Sequence, residues 1–410
     1  MVIAGAASAD SGTVSGKGKG VTDDSAVIQK ALDDCAASGG GTVKLTAGQF
    51  RLDKPINIPE GVTLAGEWES PHYVVFDKGT TILAYAGKGK ETDPPLIKLN
   101  SSSTLKGVSI FYPEQTLPAI PFPWTIQGEG VHCNVLDVTL SNPYKAIDFG
   151  TYPNELHHLR NIFGCPLKIG VFIDRCTDIG RIENVHFNPN FWSRLAKNEM
   201  DGGKIVEYTL ANCIAFDIGR TDWEYVLNTF SFGCKVGFRF FESAYGSCNG
   251  NFLGNGVDWP KTAILVEQTQ APGLLFTNGE FVGAEGSESM IEVKEKFTGV
   301  LQMTNCSFWG PAQRIARIAG SGSVNMSQCN INWLKVPKGA ALIEANGGDL
   351  TVQASRFGQD ATQIRLGSGV LAAVIMGNTM IGPVKIDNKS KGDVQILANV
   401  SRAPKRKTQE

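Results

Sequence analysis

The chain has 410 residues, 42% of them hydrophobic and 19% charged, which gives ample apolar mass for a buried core and excludes a disordered polyelectrolyte. Lys+Arg number 38 against Asp+Glu 40, a net charge of -2, so there is no overall basic field of the kind that holds nucleic acid. No apolar run approaches the ~18 residues of a membrane-spanning helix. The nine cysteines are odd in number and contain no CxxC pair, which argues against zinc-type sites. No metal ligand is assigned from the sequence; most thiols are expected inside the core, with one or two disulfides left open.

In chain order, Met1 to Ala9 (MVIAGAASA) reads as the stump of an export signal ending in a small-x-small cleavage form. A flexible Ala/Gly-rich leader fits equally. The first reading implies a secreted or periplasmic protein, with residues 1–17 as leader and residues 401–410 as a basic tail.

The stretch Gly18 to Trp68 follows. Thr22 is a good N-cap, Asp23 and Asp24 would sit in the first helical turn, and Gly39 to Gly41 end the helix, predicting a helix over about 22–38. Ile28, Leu32 and Cys35 fall on one stripe that needs a cover. The order GxGxTDDxxxIQxAxxxxxxxGGGxVxxxxGxF across this stretch resembles the entry segment of the pectate-lyase superfamily, which includes polygalacturonase-related glycoside hydrolases, polysaccharide lyases and phage tailspike depolymerases. The resemblance implies an all-β right-handed parallel β-helix whose N-terminal end is closed by the helix, with Val43 to Leu45 starting the first turn. An ordinary α/β loop-helix unit is the bland alternative.

Internal repeats point the same way. Hexapeptides starting at Leu105, Val135, Ile182, Phe276, Met303, Met326, Val352 and Ile375 share one form, apolar at both ends and in most copies small or amide at the third position. From 276 onward the starts are 27, 23, 26 and 23 residues apart, and the earlier gaps of 30, 47 and 94 are near one, two and four such periods. That spacing suits one solenoid coil, whereas propeller blades need roughly 40 residues or more. Asn184, Asn278 and Asn305 are expected to form an internal amide ladder at a turn. The period breaks twice, at residues 112–124, which contain four prolines, and at residues 188–212, which have helical character. Both are candidate loops beside a functional groove. One domain over residues 18–400 is therefore expected.

Five hydrophobic strands end in a carboxylate: Asp148, Asp174, Asp217, Glu242 and Glu267. Corresponding positions in a parallel solenoid lie about 4.8 Å apart per turn, so Asp174, Asp217 and Glu242 are predicted neighbours on one wall. Close carboxyls push their pKa values apart, the arrangement that glycosidic cleavage uses. Adjacent turns would suit a retaining enzyme and alternate turns an inverting one. Phe216 to Tyr225 is the densest cluster of acids, arginine and aromatics in the chain. The candidate catalytic set is thus Asp174, Asp217, Asp222, Glu224 and Glu242. Trp192, Trp223, Tyr225 and Tyr245 are candidate sugar platforms. Alternation places Asp222 and Glu224 on one face and Trp223 on the other. Arg175, Arg220 and Arg239 either pair with the acids or hold a uronate carboxylate. His186 is expected to point outward near the groove, while His157 and His158 are equally consistent with incidental roles.

The resemblance stops short of an active site. The NTD, GHG and RIK signatures of polygalacturonases and the RxPxxR pattern of pectate lyases are absent, so their catalytic residues are not transferred. The favoured reading is a glycoside hydrolase that needs no cofactor. A polysaccharide lyase is the alternative, for which the resemblance implies calcium as an option, and a non-catalytic glycan-binding or tailspike-type protein is the third. The expected partner is a carbohydrate, and the expected assembly a monomer or homotrimer.

Overall fold

The repeated hexapeptide is two short strands joined by a single corner residue, and the structure, a computed structural model describing residues 12–15, 19–67, 78–195 and 200–403, stacks these units into a parallel β-solenoid of about 14 turns. The predicted export-signal stump lies outside the described residues. Three walls of parallel strands run the length of the molecule. The first includes Thr221–Leu227 and Cys248–Leu253, and the strands His158–Gly164 and Arg181–Phe187 run through the corner, starting on the first wall and ending on the second. The second includes Phe230–Phe232, Gly256–Asp258 and Glu280–Val282. The third includes Lys145–Phe149, Ile169–Ile173, Ile214–Ile218, Val236–Phe240 and Thr262–Val266.

The third hexapeptide position turns the corner from the first wall to the second. Asn161, Asn184, Asn228, Asn278 and Asn305 there have φ of 56, 52, 53, 58 and 54°, the left-handed region that asparagine tolerates better than most residues. Their amides do stack: Asn184 Nδ2 donates to Asn161 Oδ1 at 2.8 Å and Asn305 Nδ2 to Asn278 Oδ1 at 2.7 Å. The ladder is on the outside, however, because a left-handed residue points its side chain away from the core; Asn184, Asn278 and Asn305 are exposed. The inward position is the next one, filled by Val185, Cys306 and Cys329, and by Asn255 and Asn378, whose amides donate to the carbonyls of Val226 and Val352.

A lone turn cannot cover its apolar residues, but stacked turns place like on like. Phe216 lies on Phe238 at 4.7 Å, Phe252 on Phe276 at 4.5 Å and Phe281 on Phe308 at 5.3 Å, all nearly parallel. Each such buried ring contributes about 1.5–3 kcal/mol through its removal from water. All nine cysteines are free, and all but Cys35 are buried.

At the N-terminal end the helix runs Ser25–Ala37 and places Ile28 and Leu32 on the core. It starts three residues later than predicted, since Asp23 and Asp24 bind backbone: Asp23 Oδ1 accepts from Ser25 N, and Asp24 Oδ2 from Arg51 N. Gly40 follows it with φ of 91°, and a Cβ there would lie 2.7 Å from the Gly61 carbonyl. Thr13–Val14, assigned to the leader from sequence, already pairs with Lys44 and Leu45. Near the other end, Val400–Arg402 still forms a strand.

Candidate active-site groove

Alternation along the third wall turns Ile147, Val171, Phe216 and Phe238 inward, together with Phe149, Ile173, Ile218 and Phe240. The position between them faces out. Read from turn to turn it carries Asn57, Lys98, Gln127, Asp148, Phe172, Asp217, Arg239 and Leu265. Both period-breaking segments join the second wall to the third, so they rise along one edge of this floor. They pack on each other through a small separate core containing Phe191, Trp192, Leu195 and Ile205, against which Leu117 and Ala119 rest. At the N-terminal half the floor opens into a cleft of about 700 Å³ lined by Lys98, Trp124, Gln127, Glu129, Lys145 and Tyr152.

Three half-buried rings continue along the groove: Phe172 lies 6.0 Å from Trp124 and 6.2 Å from Phe241, with planes within 15° and 5°. Two glycines make room for them. A Cβ at Gly150 would meet Phe172 at 2.4 Å, and one at Gly219 would meet Phe241 at 2.7 Å.

Beside these rings, Asp217 is 5% exposed. Arg239 Nη1 is 3.3 Å from Asp217 Oδ1, and Arg239 Nε is 2.8 Å from Glu267 Oε1, so one guanidinium bridges two carboxylates. Arg239 also lies over the Phe241 ring at 4.8 Å. Burial pushes the Asp217 carboxyl up, Arg239 opposes it, and Glu267 and Asp174 add to the rise, leaving the group at about 6.

The remaining predicted acids part company with Asp217, because ends of apolar runs do not mark equal positions on the wall. Asp148 shares the Asp217 column two turns away, with Phe172 between, but Gln127 and the amides of Gly150 and Thr151 saturate it. Asp174 falls two residues further on, at the corner. There its Oδ1 accepts from Arg220 N at 2.7 Å and from the Ser243 hydroxyl at 2.9 Å. Glu242 lies exposed beyond the end of its strand. Asp222 is outside, bound by Arg220 Nη2 at 2.7 Å and Gln270 Nε2 at 2.8 Å.

Glu224 is wholly buried inside the solenoid. Simple alternation fails here because the ladder slips between Thr221 and Glu224, and Trp223 bulges at φ of 60°. The bulge exposes Trp223 and sends Glu224 inward, so Asp222 and Glu224 do not share a face. Trp223 Nε1 donates to the Tyr225 hydroxyl at 2.8 Å, and Tyr245, also exposed, lies under Arg175 at 4.3 Å. Arg175 donates to Thr151 O and Arg220 to Cys176 O, so the arginines hold corners together.

Four predicted binding residues lie off the groove floor: Trp223 and Tyr225 are on the first wall, and Trp192 and His186 lie further away. Trp192 is buried in the small core and offers no platform. His186 is on the second wall, in a separate trough of about 530 Å³ with Phe230, Asp258, Glu280 and Trp309. The sequence expectations did not include Phe172, Phe241, Trp124 or Glu267 among the groove residues. Phe172 sits in the outward position two residues before the corner, whereas Phe241 and Glu267 occupy the corner position itself, level with Asp174.

Residues 12–103 match the family model described as Rhamnogalacturonase A/epimerase, pectate lyase-like. No curated protein matches the chain by sequence. Among solved structures, the chain is similar to a DFA-IIIase from Arthrobacter chlorophenolicus A6, with TM-score 0.50 and 10% identity over 86% of this chain and 90% of that one. It is similar to the mannuronan C-5 epimerase AlgE6 A-module of Azotobacter vinelandii, with TM-score 0.46 and 13% identity over 95% and 97%. The Dettilon tailspike protein gives 0.47 and 14% over 87% and 66%. At these identities the likeness is one of fold, the pectate-lyase-like parallel β-helix.

Proposed function

We propose that the protein is a carbohydrate-active enzyme that binds a poly- or oligosaccharide along the third-wall groove and hydrolyses a glycosidic bond, with Asp217 as proton donor and Glu267 as the partner carboxylate. The observation that carries this reading is the environment of Asp217. It is a nearly buried carboxyl raised to about 6, on the floor of an open groove and bridged by Arg239 to a second, more exposed acid. A carboxyl raised in this way delivers a proton to a leaving oxygen near neutral pH, while the other acid serves as base or nucleophile. The row Trp124, Phe172 and Phe241 supplies apolar surface for sugar rings, and the family model matched at the N-terminal end names polysaccharide-acting proteins.

The test is a panel of neutral and uronate-containing glycans assayed for new reducing ends, with Asp217→Asn and Glu267→Gln as variants. Loss of activity in both, with fold retained, supports the assignment; full activity in either removes that residue from the reaction. One observation favours a second reading, β-elimination or epimerisation of a uronate. Lys145, on the same floor, is lowered by burial below the usual lysine range despite Glu91, as a base that takes a proton α to a carboxylate requires. Product absorbance from an unsaturated sugar end, lost in Lys145→Met and kept in Asp217→Asn, would replace hydrolysis by that chemistry.

A further inference from the structure

The solenoid interior holds a second chemical cluster that the groove does not use. His157, Cys176 and Glu224 are all buried, and one ligand atom of each lies within 4.8 Å of the other two. They come from successive turns: the ladder pairs His158 with Arg181 and Arg181 with Tyr225, so His157, Gly180 and Glu224 stack in one column. Cys176 bridges Asn154 and Thr221 in the column beside it. Position 180 is glycine, and through the space it leaves His157 Nε2 reaches Glu224 Oε1 at 3.0 Å.

The surroundings orient each group. Asn154 Nδ2 donates to the carbonyls of Phe149 at 2.6 Å and Asp174 at 2.9 Å. Its Oδ1 is therefore the acceptor 2.9 Å from His157 Nδ1, which carries the proton and leaves Nε2 directed at the cluster. Glu224 Oε2 takes the Thr221 hydroxyl at 2.7 Å, leaving Oε1 for His157. An outer nitrogen fixed by an amide acceptor and a carboxylate fixed through its second oxygen are the usual supports of metal-binding side chains.

We infer that His157 Nε2, Cys176 Sγ and Glu224 Oε1 form an interior binding site for a divalent cation of the zinc class. Tetrahedral zinc separates its ligand atoms by about 3.3–3.6 Å, so the His157–Glu224 pair at 3.0 Å is already near that spacing, and Cys176 Sγ, within 4.8 Å of both, needs only a small side-chain adjustment. Binding releases the Cys176 thiol proton and the proton shared by His157 and Glu224 to solvent. The resulting thiolate and carboxylate neutralise the dication, which a dry interior demands. The ligands are 19 and 48 residues apart, which is why no short spacing signals them. The site fastens three consecutive turns together, and the excursion between Phe187 and Ile214 is inserted between the second and the third of them.

The experiment is metal analysis of the full chain produced with zinc and passed over a sizing column, together with the absorption spectrum of the chain refolded with cobalt(II). The expected result is one zinc per chain and, with cobalt, intense tetrahedral d–d bands plus a thiolate-to-cobalt band in the near ultraviolet. The thiolate band disappears in Cys176→Ser, and chelation lowers the melting temperature of the wild type. Folded wild-type chain, judged by circular dichroism, that holds well under one equivalent of zinc and shows no cobalt bands overturns the site. So does a thiolate band that persists in Cys176→Ser. The wild-type measurements decide the question even where the variant fails to fold.

Discussion

Arg239 on one turn reaches Asp217 on the turn before it, Nη1 to Oδ1 at 3.3 Å, while its Nε holds Glu267 at 2.8 Å. Burial, opposed by this guanidinium, leaves the Asp217 carboxyl at about 6. If it donates the proton, activity falls as pH rises through about 6. Asp217→Asn lowers kcat by roughly 10²–10⁴ and removes that limb. A pH–rate profile on any cleaved glycan checks this.

The same shift predicts a stability signature with a definite sign. The folded-state pKa of about 6 exceeds the ordinary value of 3.8, so between these values the folded chain binds more protons than the unfolded one. Stability contributed by Asp217 is therefore greatest at low pH and declines as pH rises from about 4 to about 6. Asp217→Asn has no such decline. Denaturant midpoints of the two proteins, compared across this window, converge at the acid end and separate above it.

Because Arg239 opposes the rise in Asp217, Arg239→Gln is expected to move the basic limb of the activity profile to higher pH while lowering kcat. A limb that stays in place would mean that Asp217 is not the group being titrated.

Trp223 is 57% exposed on a bulge at φ of 60°. Because Trp223 stands on the first wall and not on the groove floor, Trp223→Ala is expected to leave stability within about 0.5 kcal/mol and KM unchanged for long and short oligosaccharides alike. A KM raised for the long one alone would extend the sugar contacts onto the first wall.

The solenoid was legible because its signals repeat: an apolar pair flanking an asparagine that tolerates left-handed φ recurs at one coil length, and each copy reinforces the last. The site was legible only in part. Asp217, near the end of an apolar strand, does face outward on the third wall, yet Asp174 and Glu242 end theirs beyond the wall, at corners of variable length, where a one-residue offset changes which way a side chain faces. Glu224 was misplaced because a bulge is a matter of ladder register, and register is set by neighbouring turns rather than by the alternation of the strand itself. Trp192 was misread since the helical excursion builds its own small core, which the solenoid period does not describe.

The last prediction concerns Gly180, the empty place between His157 and Glu224. A Cβ there would lie 2.2 Å from His157 Nε2 and 2.4 Å from Glu224 Oε2, and all of these groups are sealed inside the solenoid, where neither backbone nor ring has room to retreat. Gly180→Ala therefore forces the pair apart and leaves two buried polar groups badly matched, at a cost of about 3–5 kcal/mol. Glu224→Ala leaves His157 without its partner and costs a similar amount, so the double variant Gly180→Ala with Glu224→Ala should be less destabilised than the sum of the two. Urea denaturation of the three proteins measures the coupling. Strict additivity would show that the methyl group and the pair do not compete for the same space.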